Sequence, residues 1–281
     1  MGEEYTKVQR ITTQVMEQFG VSAQPEKLPG GSVEVTRVSD IVLKHIRETS
    51  LENNHSLELA AWIAEFSSNL HQDGFRIPRG VPTKTEKWIT PEGWTAWTFV
   101  EGTHASKDDI PQCIAAIEKL NHSLKAIAKN PLLEDSHTPW AKSQRWCLGD
   151  KPDYIHPVVK DYVDKLYGLR QPVETSPYQV MHGDLNPENI LVSDHLPPAF
   201  VDFSPFWGPP ELATAIFATW IGPRNRDAGA LGYIKHLPNF CQMLIRAGIR
   251  MLLVMSDGGN LNDWELCSEK KAAEIIINFA Q

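Results

Sequence analysis

Three polar residues in the second half of the chain have the types and the spacing that phosphate chemistry requires. Asp184 and Asn189 lie in a polar stretch that apolar residues flank on both sides, and Asp202 follows a short apolar run. Phosphoryl transfer needs a carboxylate that orients the attacking hydroxyl and accepts its proton. It also needs hard oxygen ligands for Mg²⁺, and one carboxylate with one amide oxygen suffices when phosphates supply the rest. The pattern favours Asp184 as base, with Asn189 and Asp202 as metal ligands.

A purely structural role is the alternative for residues of this segment. His182-Gly183-Asp184 is turn-like, and aspartate is common in turns. We interpret His182 as a residue that makes structural hydrogen bonds within the loop rather than as a proton carrier. The joint presence of Asp184, Asn189 and Asp202 favours catalysis over a turn for Asp184.

The same residues resemble the aminoglycoside phosphotransferase and choline kinase superfamily, a relative of the protein kinases. Asp184 and Asn189 match the Asp-x-x-x-x-Asn spacing of the kinase catalytic loop. Gly183 stands where protein kinases have arginine, and glycine is typical of the small-molecule branch. The resemblance implies that Asp184 is the catalytic base and that Asn189 and Asp202 bind Mg²⁺, with ATP or GTP as phosphate donor.

The resemblance extends upstream to residues that contact the nucleotide. Lys44 ends an apolar strand whose lysine, in the family, pairs with the α- and β-phosphates. Its usual partner is a helix glutamate, for which we choose Glu58, with Glu65 and Glu52 as rivals. A solvated lysine and an exposed glutamate are the alternatives.

Two further nucleotide contacts follow from the resemblance. The glycine loop is reduced to Gly30-Gly31, and Ser32 is predicted to cover the phosphates. Residues 97–102 resemble the hinge between lobes, where backbone groups of alternate residues bond adenine. Thr98 and Val100 are the predicted pair.

Two stretches after the catalytic loop complete the resemblance and also depart from it. Residues 208–213 resemble the family's Gly-x-Pro-x-Asp-Leu-Ala stretch, with Glu211 in place of the aspartate that supports the active-site loops. Ser204 stands two residues after Asp202, where many members carry an acidic residue just after the aromatic. The geometry of the metal site, with one or two ions, therefore stays open.

The elements that must position these residues are predicted from hydrophobic periodicity and turn signals. The first part of the chain is predicted to contain a helix over residues 5–19, a hairpin over 32–46 turning at Ser39-Asp40, a helix over 56–70, and strands over 85–90 and 94–100. The rest is predicted to contain a helix from Asp108, a helix over 157–169, short strands within 180–192 and 199–203, and mainly helix from Leu212.

These elements and the resemblance predict an α+β, two-lobed, protein-kinase-like fold. Residues 1–100 form a small N-terminal lobe with an antiparallel sheet that binds the nucleotide. Residues 101–281 form a larger, mainly helical C-terminal lobe with the catalytic loop and the acceptor pocket, and the hinge lies at 98–102.

Composition limits the partners. The net charge of −8 and the pI of about 5.7 argue against nucleic acid. No segment has the length and apolar content of a membrane span or a signal peptide. The four cysteines lack CxxC spacing, so we expect reduced thiols in a cytoplasmic protein without a zinc site.

The acceptor is predicted only as a class. It is a small molecule with a hydroxyl group, such as an aminoglycoside-like antibiotic or an amino alcohol or sugar metabolite. Trp207 and Trp220 are either pocket walls or core packing, and Asp257, Asp263 and Glu265 are either an acidic rim or a solvated surface. The alternative function is a non-catalytic nucleotide-binding module of the pseudokinase kind.

Overall fold

The protein is described by a computed structural model, which covers residues 12–28, 35–46, 55–135, 137–225, 227–258 and 263–281. Contacts between residues divide the chain into two units. The small unit runs up to His71 and from Arg76 to Glu101, and the large unit contains Gln72–Phe75 and everything from Gly102. The boundary predicted from the sequence lies after residue 100, with residues 72–75 in the small lobe.

The small unit contains an antiparallel sheet of five strands in the order β1-β2-β3-β5-β4. The strands are β1 (Glu26–Lys27), β2 (Val35–Val38), β3 (Ile41–His45), β4 (Gly80–Val81) and β5 (Trp94–Thr98). The predicted hairpin corresponds to β2 and β3, whose register pairs Val35 with Lys44. Its turn is at Ser39-Asp40 as predicted, and Ser39 adopts a φ of 61°.

One face of this sheet is covered by helix α1 (Thr13–Gln18). The helix begins after Thr12, whose hydroxyl accepts a hydrogen bond from the Val15 N–H. Val15 and Phe19 pack into a buried cluster with strand residues Val38, Ile41, Leu43, Trp94 and Ala96. Val8 and Ile11 of the predicted opening helix lie outside the described residues.

Helix α2 (His55–Asn69) matches the predicted helix and crosses β4 at very short range. A Cβ atom at Gly80 would lie 2.1 Å from the Ala64 carbonyl oxygen, so only glycine permits this approach. The Gly80 N–H donates to the Ser67 hydroxyl, which donates in turn to the Ala64 carbonyl oxygen. Strand β4 is thus attached directly to the helix.

The strand predicted over residues 85–90 is wrong. These residues form a loop, which two hydrogen bonds between Thr83 and Lys87 close. The Thr83 N–H donates to the Lys87 carbonyl, and the Thr83 hydroxyl accepts from the Lys87 N–H. Glu86 in the same loop has a φ of 58°. The alternation of residues 85–90 imitates a strand, but Gly80–Val81 occupies the position beside β5 instead.

The large unit contains two small antiparallel sheets. One pairs β7 (Gln179–His182) with β10 (Pro205–Gly208), and the other has the order β6-β8-β9. The strands of the second sheet are β6 (Thr103–His104), β8 (Ile190–Val192) and β9 (Ala199–Phe200). The loop that carries Asp184 and Asn189 therefore leaves one sheet and enters the other, and β10 had no counterpart in the sequence prediction.

Helices form most of the large unit. They are α3 (Ile110–Leu124), α4 (Leu132–Asp135), α5 (Pro139–Leu148), α6 (Pro157–Leu169), α7 (Pro210–Ile221), α8 (Phe240–Gly258) and α9 (Asp263–Ala280). Helix α8 is central, because it packs against α5, α6, α7 and α9. Helix α6 has the predicted bounds, and the His156 ring caps it by accepting from the Val158 N–H.

These elements confirm the predicted α+β class, with a small sheet-containing unit and a larger, mainly helical one. Within the described residues, every helix is too short or too polar to cross a bilayer.

Candidate active site

The loop between β7 and β8 is shaped by short-range hydrogen bonds. Asn186 accepts at its side-chain oxygen from the Glu188 and Asn189 N–H groups, at 2.9 and 3.1 Å. This cap, followed by proline at position 187, starts a single 3-10 turn over Pro187–Asn189. The turn brings Asn189 back toward Asp184, so the five-residue spacing becomes a spatial contact.

Asp184 is oriented by two neighbouring amides. The Asn189 side-chain nitrogen donates to the Asp184 main-chain carbonyl at 2.9 Å and to Oδ2 at 3.0 Å. The Asn186 side-chain nitrogen donates to Oδ1 of the same carboxylate at 3.3 Å. Both carboxylate oxygens therefore accept a hydrogen bond, and the side chain is only half-buried, so it remains reachable from solvent. A fixed, accessible carboxylate is what a general base requires.

His182 links the start of this loop to the Asp202 segment. Its Nε2 donates to the Val201 carbonyl oxygen at 3.3 Å, and its Nδ1 accepts from the Asp184 N–H at 3.2 Å. Both contacts together require the neutral ring with its proton on Nε2. Complete burial of the side chain lowers the pKa of His182, which favours this neutral form, while the Asp184 carboxylate acts in the opposite direction. The geometry agrees with the predicted structural role.

Asp202 is placed by the residue before it. The Val201 N–H donates to the Asn189 carbonyl oxygen at 2.9 Å, so Asp202 directly follows a residue bonded to the catalytic loop. Its φ of 51° lies in the left-handed region, which turns the chain sharply, and its side chain is exposed. Ser204 reinforces the turn, since its hydroxyl donates to the Asp202 carbonyl and its carbonyl accepts from the Gly183 N–H.

The donor set fits a hard cation. Because the Asn189 side-chain nitrogen is bonded to Asp184, its Oδ1 is the atom left for a metal. Asp202 adds an exposed carboxylate. No group of three or more His, Cys, Asp or Glu side chains suited to a metal occurs in the part of the chain that the structure describes. An amide oxygen and one carboxylate suit Mg²⁺, which keeps waters and takes phosphate oxygens as further ligands.

Glu211 contacts a segment other than the catalytic loop. Its Oε1 accepts from the main-chain N–H and the hydroxyl of Ser176, at 3.0 and 2.5 Å. The carboxylate, in the first turn of α7, thus fixes the segment that leads into β7. It supports the strand before the loop, whereas the resemblance implied support of the loop itself.

Lys44 and Glu58 both lie in the small unit. Lys44 is half-buried on β3, where its carbonyl accepts from the Thr95 hydroxyl at 3.1 Å. Glu58 is exposed in the first turn of α2, and its rival Glu65 lies two turns further along the same helix. Glu52 and Ser32, with the glycine pair before it, lie outside the described residues. The ion pair and the phosphate contacts stay predictions.

One of the two predicted hinge residues, Thr98, already makes hydrogen bonds within the protein. The Thr98 N–H donates to the Arg79 carbonyl at 2.9 Å, and the Thr98 hydroxyl accepts from the Arg79 N–H. Thr98 can therefore offer adenine only its carbonyl. Within the described residues, neither main-chain group of Val100 makes a backbone hydrogen bond, so both remain available to a ligand.

The residues considered for the acceptor pocket have partners of their own. The Arg224 guanidinium lies 3.5 Å from the Trp220 ring centroid, and Lys129 lies 5.4 Å from that of Trp207. Asp257 forms a 3.1 Å ion pair with Lys142, which reduces its value as part of an acidic rim. Glu265 is half-buried, and the side chain of Asp263 is not described.

Two residues of this site were missed by the sequence analysis. Asn186 carried a signal, since an asparagine before proline is a frequent start of a helical turn. For Arg250 the only signal in the sequence was a positive charge within the apolar stretch of α8. It is fully buried, and its Nη2 donates to the Gly183 carbonyl oxygen at 2.6 Å, directly beside Asp184.

The model of the phosphotransferase enzyme family, APH, matches residues 32–238 of the chain. The chain belongs to this family. The match covers the small unit from residue 32 onward, the loop with Asp184 and Asn189, and Asp202, and it confirms the predicted superfamily and the phosphotransferase class. A search of curated proteins found no match.

Solved structures share the fold at low sequence identity. A microcompartment-associated aminopropanol kinase is 15% identical, with a TM-score of 0.61 and coverage of 94% of each chain. The GDP complex of aminoglycoside 2'-phosphotransferase-IIIa is 14% identical, with a TM-score of 0.61 and coverage of 95% of this chain and 97% of that one. Amicoumacin kinase hAmiN, in complex with AMP-PNP, Ca²⁺ and Ami, is 14% identical, with a TM-score of 0.62 and coverage of 91% and 88%. These likenesses confirm the kinase-like fold.

Proposed function

We propose that the protein transfers the γ-phosphate of ATP or GTP to a hydroxyl group of a small molecule. The observation that supports this most strongly is the Asp184 carboxylate, which both Asn189 and Asn186 orient while leaving it reachable. Family membership supports the reaction class, and solved relatives with this fold include complexes with GDP and AMP-PNP.

In this proposal the reaction step is assigned to Asp184 and the metal to Asn189 and Asp202. Asp184 accepts the proton as the acceptor O–H bond breaks and the oxygen bonds to the γ-phosphorus. The bond from that phosphorus to the bridging oxygen breaks, and the nucleoside diphosphate leaves. Asn189 Oδ1 and the Asp202 carboxylate hold Mg²⁺, which when bound neutralises charge on the phosphate oxygens.

The small unit is proposed to bind the nucleotide. Lys44 contacts the α- and β-phosphates and is oriented by Glu58, and Ser32 covers the phosphates. Val100 offers adenine its N–H and carbonyl, while Thr98 contributes its carbonyl. Charge-assisted contacts of this type supply much of the affinity for a nucleotide.

The acceptor is proposed to be a small hydroxyl-bearing molecule, either an aminoglycoside-like antibiotic or an amino alcohol or sugar metabolite. The named relatives include an aminopropanol kinase, an aminoglycoside phosphotransferase and an amicoumacin kinase. We further propose a cytoplasmic location, because the nucleotide donor is abundant there and all four cysteines are free thiols.

Thermal shift with ATP or GTP, each with and without Mg²⁺, tests the donor site, because a ligand of the native state raises the melting temperature. A panel of hydroxyl-bearing amines is then added, and nucleoside diphosphate release is measured. The Asp184→Asn variant should keep the nucleotide shift and lose about 10²- to 10⁴-fold in turnover. Nucleotide binding without turnover in the wild type would instead favour the pseudokinase-like alternative.

A further inference from the structure

Arg250 lies in the middle of α8, and its side chain contacts the loop that carries Asp184. Its side chain is fully buried, and its Nη2 donates to the Gly183 carbonyl oxygen at 2.6 Å. Gly183 immediately precedes Asp184, so this hydrogen bond ends one peptide unit from the proposed base. The residue lies beyond residue 238, where the match to the family model ends.

Burial of the Arg250 guanidinium lowers the stability of the fold. No carboxylate forms an ion pair with Arg250 in the described part of the chain, and its Nε has no hydrogen-bond partner there. The rings of Trp140 and Phe206 lie 5.0 and 5.4 Å from the guanidinium carbon. Burial of a charge costs several kcal/mol in stability, and the Gly183 carbonyl is the strong hydrogen-bond partner that offsets this cost among the described residues.

Electrostatics connect Arg250 with the proposed base. Burial lowers the pKa of the Arg250 guanidinium, while the Cys147 thiol and the Asp184 carboxylate act in the opposite direction. The Asp184 carboxylate therefore interacts electrostatically with this arginine.

The Gly183 peptide is constrained on three sides. Its N–H donates to the Ser204 carbonyl at 2.8 Å, and its carbonyl accepts from Arg250. A Cβ atom at this position would lie 1.8 Å from the Phe206 ring, so the ring packs directly on the α-carbon. Phe206 also packs against Arg250, so the arginine contacts both the peptide and the ring that covers it.

We propose that Arg250 is a positioning residue, which fixes the Gly183 peptide and through it the direction of the Asp184 carboxylate. The proposal rests on the proposed phosphotransfer function only for its kinetic consequence. A displacement of about 1 Å in a reacting group can cost about 100-fold in rate, which is the reason that a remote helix contributes a charge to this loop.

Arg246 provides a matched control one turn earlier on the same helix. It is also buried, and its guanidinium donates to the Gln242 carbonyl and to the Gln171 carbonyl, at 2.9 and 3.0 Å. Burial lowers the pKa of Arg246 too. It fixes the segment after α6 and makes no described hydrogen bond to the loop at 183–189.

The experiment compares Arg250→Met, Arg250→Lys and Arg246→Met with the wild type. Methionine keeps length and packing, and lysine keeps charge and one donor. Turnover is measured with Mg-ATP or Mg-GTP, using water and the best amine of the panel as acceptors. Arg250→Met should lower kcat by about 10- to 100-fold with little change in the nucleotide KM. Arg250→Lys should recover part of kcat, and Arg246→Met should keep it.

Amide hydrogen exchange of the unliganded variants provides a second readout, which does not depend on turnover. Arg250→Met should raise exchange in the peptide covering residues 180–192, and Arg246→Met should raise it around 169–176 instead. Equal kcat losses in Arg250→Met and Arg246→Met, or unchanged exchange at 180–192 in both Arg250 variants, would overturn the proposal. A wild type without turnover would refute the proposed function, while hydrogen exchange would still decide whether Arg250 positions the loop.

Discussion

The Asn189 side-chain nitrogen donates to the Asp184 main-chain carbonyl at 2.9 Å and to its Oδ2 at 3.0 Å. The proposed base and one proposed metal ligand are therefore bonded to each other. The nitrogen orients the carboxylate, and the oxygen of the same amide is the proposed metal ligand. In the proposal, orientation of the base and binding of the metal therefore depend on a single side chain, and this coupling can be measured.

Replacing Asn189 should disturb both tasks together. Asn189→Ala removes the donor to Asp184 and a cation ligand, so kcat should fall and the Mg²⁺ concentration for half-maximal rate should rise by at least about tenfold. Asn186→Ser is the matched control, because serine can still cap the 3-10 turn but no longer donates to Asp184. It should lower kcat at an unchanged Mg²⁺ requirement. A Mg²⁺ titration of turnover checks both, and equal Mg²⁺ requirements in the two variants would contradict the assignment of Asn189.

Gly183 is required for steric reasons. An added Cβ would lie 1.8 Å from the Phe206 ring, so Gly183→Ala should destabilise the protein by about 1–3 kcal/mol. Phe206→Ala removes the obstacle, so the free-energy cost of Gly183→Ala should shrink in that background by about 0.5–3 kcal/mol. Urea unfolding of the two single variants and the double variant measures this coupling. Additive costs would mean that another contact explains the glycine.

Acid should destabilise the fold through His182. Its pKa is lowered by burial, whereas in the unfolded chain it is about 6.5. The unfolded state therefore binds more protons below this pH, and the free energy of unfolding falls as the pH drops from about 6.5 toward the folded pKa. In His182→Asn, which cannot titrate, urea unfolding between pH 7.5 and 5 should show a smaller decline. The exposed His195 offers the control, and His195→Asn should keep the wild-type slope.

Lys44 should matter for the nucleotide rather than for folding. Lys44→Met should weaken ATP or GTP binding by about 10- to 100-fold, because a charge-assisted contact to phosphate is lost. The exposed Lys87 of the same unit has no predicted role at the nucleotide, so Lys87→Met is the control. Titrating each variant with Mg-nucleotide by thermal shift gives both affinities. Equal affinities in the two variants would remove Lys44 from the proposed site.

Several features of the fold were predictable because short-range interactions decide them. Helix α6 begins at Pro157 and ends at Leu169 as predicted, since a proline start and apolar periodicity mark a helix locally. The hairpin of β2 and β3 follows from its alternation and its turn. The prediction of a strand over residues 85–90 was wrong because strand pairing is a long-range interaction. The position beside β5 is taken by Gly80–Val81, and local alternation cannot show which segment pairs there.

The local sequence explains the contacts among the proposed catalytic residues. Asp184, Asn186 and Asn189 meet through a turn of a few residues, which the Asn186 side chain and Pro187 start. The family and the phosphotransferase class follow from this segment and from Asp202.

The contacts that support these residues from outside the loop depend on the packing of segments far apart in the sequence. Arg250 lies 67 residues from Gly183 in the sequence, and the Thr98 N–H on β5 donates to the carbonyl of Arg79, just before the neighbouring strand β4. Burial and hydrogen bonding of this kind depend on how distant segments pack. The type of a single residue does not predict them. From the sequence alone, Arg250 would be assigned to the surface of its helix, and only the packing shows that it contacts the peptide beside the proposed base.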